Sequence, residues 1–308
     1  MRAFIFPGQG SQSLGMGAAL ADASRAAKDV FDEVDEALAQ NLFRIMREGP
    51  DDELKLTENA QPAIMAHSIA VLRTLGVDVG DAASFVAGHS LGEYSALCAA
   101  GSFDLANTAK LLKLRGQAMQ AAVPVGEGAM AALLGADLDL AQKIASAAAE
   151  DGVCTVANDN DPSQVVVSGS KAAIDRAIAM AKDMGAKRAV PLPVSAPFHC
   201  PLMQPAADAM RDALSYVIVE QPAVPVYANV TAQPESDPDT IRNQLVDQVT
   251  GMVRWRESVA NMFESGVHEF VEVGGKVLGP MVKRIAPDAK VISLVTIEDI
   301  EAAAKEIA

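Results

Sequence analysis

Ser90 stands at the centre of Gly88-His89-Ser90-Leu91-Gly92, inside the run FVAGHSLGEYSAL from Phe85 to Leu97. A GxSxG pattern between an apolar stretch and a helical one reads as a strand, a sharp turn and a helix, with the serine at the apex. Such an elbow turns a hydroxyl outward and points the free N–H groups of the following helix at it. The chemistry that fits is acyl transfer through a covalent acyl-serine, with the N–H of Leu91 holding the developing oxyanion. An ordinary strand–helix turn has the same pattern, so the serine needs partners.

A serine nucleophile requires a base, and a neutral imidazole suits neutral pH. The chain has four histidines. His67 falls mid-helix in AQPAIMAHSIAVL. His89 adjoins the serine, which turns its side chain away from the hydroxyl. His268 precedes the apolar run EFVEV near the C-terminus, where an α/β-hydrolase keeps its base. His199 lies in PVSAPFHCPLM, a proline-framed loop of the kind that presents reactive groups. Spacing favours His199 and leaves His268 as its competitor. Arg115, in KLLKLRGQAMQ, has mostly apolar or small neighbours, and a guanidinium there calls for an anion such as a carboxylate.

The elements that must carry these residues alternate. Strands are expected at Ala3 to Phe6 and Ser84 to Ala87, with a glycine-rich loop, PGQGSQ, after the first. Helices are expected at Ser24 to Ala39, Gln61 to Leu75, Glu93 to Ala100 and Asp104 to Ala122. The alternation implies a mostly parallel sheet with helices on both faces. After the linker PVGEG (Pro124 to Gly128) the rhythm changes. Ala129 to Leu134, Val153 to Ala157, Gln164 to Ser168 and Lys187 to Leu192 read as strands, with NDNDP as a turn between the second and third. Leu138 to Ala149 and Lys171 to Met184 read as helices. The order βαββαβ predicts a ferredoxin-like unit at 126–194, inserted in an α/β-hydrolase-like domain made of 1–125 and 195–308. The second segment is expected to hold a helix at Met203 to Leu214, a strand at Val226 to Asn229, helices at Ile241 to Val249 and Trp255 to Ser265, and strands at His268 to Val273 and Val291 to Ser293.

Composition narrows the class. With 308 residues, half of them hydrophobic, the chain can bury a large core. No apolar run is long enough to span a membrane, and the N-terminus lacks a secretory pattern. Cys98, Cys154 and Cys200 are far apart with no CxxC, which argues against zinc and disulfides and suits a cytoplasmic protein. A net charge of −15 disfavours nucleic acid as a partner.

Several motifs follow one another in a known order: FPGQGSQ (6–12), TENAQPAI (57–64), GHSLGEYSAL (88–97), RGQAMQ (115–120), GAMAALLG (128–135), ANDNDPSQVVVSG (157–169), VSAPFHCPLM (194–203) and EVGGKVL (272–278). In these the chain resembles the malonyl-CoA:acyl carrier protein transacylases of type II fatty acid synthesis, over essentially its whole length. The resemblance implies Ser90 as nucleophile and selects His199 as base. It implies an oxyanion hole from the N–H groups of Gln9 and Leu91, and a main-chain carbonyl, at Gln248, orienting the histidine in place of an acid. It implies Arg115 as the binder of the malonyl carboxylate, with Phe198 and Met119 as further substrate-binding residues. It also implies malonyl-CoA and acyl carrier protein as substrates, CoA as product, no cofactor or metal, and a monomer.

Met252 departs from the proline common before VRW, and EVGGKVL is one residue short of the usual form. The carrier is acidic in such systems, so its docking patch is sought among Lys110, Lys113, Lys187, Arg188, Lys276, Lys283 and Arg284. Rival readings are a serine hydrolase, which requires an acidic triad member, an acyltransferase serving a polyketide synthase, and a non-catalytic carrier-binding subunit.

Overall fold

The computed structural model describes residues 1–307. Ten strands occur in chain order among them: β1 (Arg2–Phe6), β2 (Phe85–Gly88), β3 (Gly128–Leu134), β4 (Cys154–Asp161), β5 (Gln164–Ser170), β6 (Arg188–Pro191), β7 (Val226–Tyr227), β8 (Pro234–Glu235), β9 (Glu269–Val273) and β10 (Lys290–Leu294). They form two sheets. The larger has the order β10-β9-β1-β2-β7-β8, parallel except for the β7–β8 pair. The smaller, β4-β5-β3-β6, is antiparallel.

The period of two along β1 assigns its side chains to two different cores. Phe4 and Phe6 pack with the helix Thr57–Leu75, whereas Ala3 and Ile5 pack with Trp255, Val259 and Phe270 on the opposite face. A parallel strand buried on both faces has to be apolar throughout, as β1 is after Arg2. The small sheet is two-sided as well. Ala131, Leu133, Val165 and Val167 face the helices Leu138–Ala149 and Lys171–Ala181, while Met130, Ala132 and Val166 join the main core.

Two expectations from the sequence are corrected. NDNDP is not a turn up to Pro162, because β4 runs on through Asp161. Its polar residues are strand residues whose side chains reach out of the small sheet: Asn160 to His89, Asp159 to Arg256 and Asp161 to Arg284. The helix expected from Gln61 begins instead at Thr57 and contains Pro62. Thr57, Asn59, Ala60 and Gln61 are all buried, and a side chain on Gly116 would run into the backbone of Thr57 and Glu58. Burying that first turn against the helix Leu105–Ala121 outweighs the one hydrogen bond a proline removes. Short elements, such as the helices Leu42–Glu48 and Leu278–Ile285 of seven and eight residues, span too few turns to stand out in the sequence.

Candidate active site

Ser90 is separated from β2 by His89 alone, lies at the carboxyl edge of the parallel sheet, and caps the helix Leu91–Ala99. Its backbone has φ 54° and ψ −111°, outside the regions a non-glycine residue prefers. The flanking glycines make that turn possible. A Cβ on Gly88 would overlap the backbone of Gly92, and one on Gly92 would meet the carbonyl of Phe6. The chain is thus folded back on itself more tightly than any side chain allows, and the serine side chain is left at the apex.

His199 comes from the loop after β6 and also has a positive φ, 57°. Its Nε2 is 2.8 Å from Ser90 Oγ, and its Nδ1 is 2.8 Å from the carbonyl oxygen of Gln248. A carbonyl can only accept, so Nδ1 carries the proton and Nε2 presents its lone pair to the hydroxyl. Burial pushes the imidazole pKa down to about 3, assisted by the nearby Arg115 charge, so the ring is neutral at working pH.

Arg115 is buried on the helix Leu105–Ala121. Its Nη1 donates to Gln61 Oε1 at 2.9 Å, and its Nη2 donates to Gln248 Oε1 at 2.8 Å and to Ser90 Oγ at 3.1 Å. Its Nε has no partner, and its guanidinium carbon lies 5.7 Å from the Tyr94 ring centre. Every acceptor it uses is a neutral oxygen. Such a buried cation has room in its chemistry for one carboxylate.

Leu91 opens its helix, where the leading N–H groups have no intrahelical acceptor. The loop carrying Gln9 passes close by, since a side chain on Gly8 would stand 2.7 Å from the His89 carbonyl oxygen. Phe198 and Met119 are both buried, and Met119 Sδ accepts from Gln61 Nε2 at 3.8 Å. The remaining histidines lie elsewhere. His89 reaches Asn160 Oδ1 at 2.8 Å. His67 is buried with its Nδ1 unpartnered. His268 precedes the amino end of β9, which runs parallel to β1 and β2, whereas Ser90 follows the carboxyl end of β2. The two are therefore at opposite edges of the sheet.

Sequence reasoning assigned no role to Glu93 or Asn229. Asn229 Oδ1 accepts from the Ser90 N–H at 2.8 Å, and its Nδ2 donates to the Gly88 carbonyl at 2.7 Å, so it staples both sides of the elbow. Glu93 is buried and accepts from the Asn229 N–H and from Gln248 Nε2. The signal available was a carboxylate in the first turn of an otherwise apolar helix. Among the described residues, no three His, Cys, Asp or Glu side chains cluster as metal ligands do, and no helix is long and apolar enough to cross a membrane.

Residues 3–278 match the family model described as the acyl transferase domain. The malonyl CoA-acyl carrier protein transacylase of Bacillus subtilis (strain 168) is 44% identical over 303 residues, 98% of this chain and 95% of that one. The protein of the same description from Escherichia coli (strain K12) is 46% identical over 92% of each chain. Among solved structures, the acyl-carrier-protein-S-malonyltransferase of Bartonella henselae superposes with a TM-score of 0.97 at 53% identity, covering 99% of both chains. A malonyl-transacylase in complex with a type II PKS acyl-carrier protein superposes with a TM-score of 0.96 at 40% identity, again over 99% of both.

Proposed function

This chain belongs to the acyl transferase domain family, and we infer that it moves malonyl from malonyl-CoA to the phosphopantetheine thiol of an acyl carrier protein through an ester on Ser90. The observation that carries the chemistry is the pair of contacts on Ser90 Oγ, His199 Nε2 at 2.8 Å and Arg115 Nη2 at 3.1 Å. One supplies a base and the other a seat for a carboxylate, at the same oxygen.

His199 takes the hydroxyl proton as Oγ attacks the thioester carbonyl. The N–H groups of Leu91 and Gln9 hold the oxyanion, a contribution worth on the order of 100- to 1000-fold in rate per donor. His199 then protonates the departing CoA thiolate. In the second half-reaction the carrier thiol gives its proton to His199, attacks the ester and regenerates Ser90, so the kinetics are ping-pong. Arg115 links recognition to reactivity. Burial holds His199 below its ordinary basicity and the Arg115 charge adds to that lowering; a malonyl carboxylate that engages the guanidinium offsets the added part. The imidazole becomes a better base when the correct acyl group is in place.

A hydrolase triad would put a carboxylate on His199 Nδ1, and a main-chain carbonyl is there instead. The acyl group passes between oxygen and sulfur atoms, so the chemistry calls for no cofactor. The large sheet, from 2–6, 85–88 and 226–294, supports an α/β-hydrolase-like domain of 1–125 and 195–308. The strand order β4-β5-β3-β6, with two helices on one face, supports a ferredoxin-like unit at 126–194. Free thiols at Cys98, Cys154 and Cys200 suit a reducing cytoplasm. Because one similar structure is bound to a polyketide carrier, service to such a carrier is the second reading.

Intact-mass measurement tests the whole scheme. Mixing with malonyl-CoA should add one malonyl group at Ser90, and holo carrier protein should remove it with gain of the same mass. Release of free malonate at the rate of CoA release would make the protein a hydrolase and overturn the assignment. Loading of fatty-acid and polyketide carriers in parallel separates the two readings.

A further inference from the structure

Beyond Arg115 lies a second buried charge-bearing group that the transfer chemistry does not use. Glu93 Oε2 accepts from Gln248 Nε2 at 2.8 Å and from the Asn229 N–H at 3.1 Å. On its other side the same Gln248 amide offers Oε1 to Arg115 Nη2, also at 2.8 Å. Its Nε2 additionally reaches the Ser90 carbonyl at 3.0 Å. A guanidinium only donates, and Glu93 Oε2, which takes the Asn229 N–H, is an acceptor. The amide between them therefore has one satisfactory orientation, with oxygen toward Arg115 and nitrogen toward Glu93. Glu93 and Gln248 are 2% and 0% exposed, so no solvent competes for either end.

We propose that the Gln248 side chain is a neutral spacer, oriented by Glu93, that keeps Arg115 from forming an ion pair within the protein and so leaves its guanidinium for a substrate carboxylate. Glu93 and the Gln248 side chain are positioning groups here, and the proposal rests on the carboxylate-binding role of Arg115. The physical reason is competition. A carboxylate at the position of Gln248 Oε1 would bond Arg115 directly, and in a buried site that internal pair would have to be broken for each malonyl group bound. A buried arginine with no anion at all would be costly as well. A carboxylate one amide away supports the cation without occupying it.

The test exchanges the two groups, Glu93→Gln with Gln248→Glu, which retains a hydrogen-bonded acid–amide pair but turns the acid toward Arg115. The main-chain carbonyl that holds His199 is unaltered. The exchanged enzyme should raise KM for malonyl-CoA by at least about ten-fold, with the malonyl-over-acetyl preference falling in step. Labelling of Ser90 by a neutral fluorophosphonate reports that fold and nucleophile are intact. An exchanged enzyme that labels normally and keeps the native preference overturns the spacer. Should the exchanged protein not label, Glu93→Leu alone answers the question. It removes the acceptor that fixes the Gln248 amide, so the malonyl-over-acetyl preference should fall while Ser90 still labels, and a preference kept at its native value overturns the proposal. Arg115→Ala, measured in parallel, separates the two levels. Malonyl preference that survives without Arg115 removes the carboxylate-binding role itself. Preference lost there but kept in the exchanged pair removes only the spacer.

Discussion

Arg115 Nη2 donates to Ser90 Oγ at 3.1 Å, so the cation that would read the substrate's carboxylate also touches the nucleophile. A hydroxyl that donates to His199 still has lone pairs, and Arg115 occupies one of them. Recognition and activation therefore share an atom, and a substrate lacking the carboxylate leaves Arg115 both unpaired and resting on the nucleophile.

Arg115→Ala should consequently do more than weaken binding. Malonyl loading should fall sharply, and the malonyl-over-acetyl preference, which a site built on one buried polar group can set at roughly 10⁴-fold, should collapse toward unity. Acetyl loading should fall far less, because the same substitution removes the charge that suppresses His199. Single-turnover loading with the two CoA thioesters measures both rates, and an unaltered ratio would exclude Arg115 from selection.

Charge reversal at Lys187 and Arg188 should separate the half-reactions. Both are exposed and, among the described residues, neither is in an ion pair. Lys113, Lys276 and Arg284 are already paired with Glu58, Asp299 and Asp161. Lys110 and Lys283 are exposed and outside ion pairs as well, but each stands singly, whereas Lys187 and Arg188 are adjacent; on a chain of net charge −15, an unpaired doublet is where an acidic carrier can dock. Lys187→Glu with Arg188→Glu should raise KM for carrier protein about ten-fold and steepen no other step. Loading from malonyl-CoA at native rate with impaired transfer is the diagnostic pattern, and unimpaired transfer moves the docking patch elsewhere.

Asn160→Ala should loosen the elbow from the small sheet. The His89 Nε2–H bond to Asn160 Oδ1, at 2.8 Å, is part-buried, and the ring also lies 5.9 Å from that of Trp255. Removing the acceptor takes away the bond's net contribution, about 1 kcal/mol. Denaturant unfolding measures the loss. Native stability in the variant would mean that this bond does not hold the two sheets in register.

The residues proposed to act on the acyl group were legible because their types are rare and locally framed. Ser90 sits between two glycines that only an elbow requires, His199 is one of four histidines, and Arg115 is a cation among apolar neighbours. Glu93 and Asn229, which hold the elbow and the Gln248 amide, were not legible, because their work depends on contacts between distant parts of the chain. Glu93 meets Gln248 across 155 residues, and Ser90 meets Asn229 across 139. Local chemistry also misled at NDND, a turn by composition, which is strand, with each of Asp159, Asn160 and Asp161 bonded to a side chain distant in sequence. At Pro62 a local helix breaker was overridden by burial of the turn before it.

The pH dependence of stability isolates Glu93. Burial raises its pKa to about 7, against the lowering effect of its bonds to Gln248 and Asn229 and of the Arg115 charge. Arg115 is the charged group facing it, with Tyr94 beside it on the same helix and His199 across Gln248. A carboxyl whose folded pKa is raised contributes stability that is complete below the unfolded value near 4.5 and is lost as pH climbs through 7. The native enzyme should therefore lose about 3 kcal/mol relative to Glu93→Gln between those limits. The absolute curve does not show this directly. His67 and His199, with pKa values depressed to about 4 and about 3 by burial, act in the opposite sense, adding stability as pH rises toward 6.5. They are common to both proteins and cancel in the difference. Paired denaturant titrations from pH 4.5 to 8 provide that difference. It should widen in favour of Glu93→Gln as pH climbs from 4.5 through 7 and then level off, because above that the carboxyl is ionised in the folded and unfolded states alike. A constant difference would mean that Glu93 titrates as an ordinary exposed carboxyl, contrary to its burial between Gln248 and Asn229.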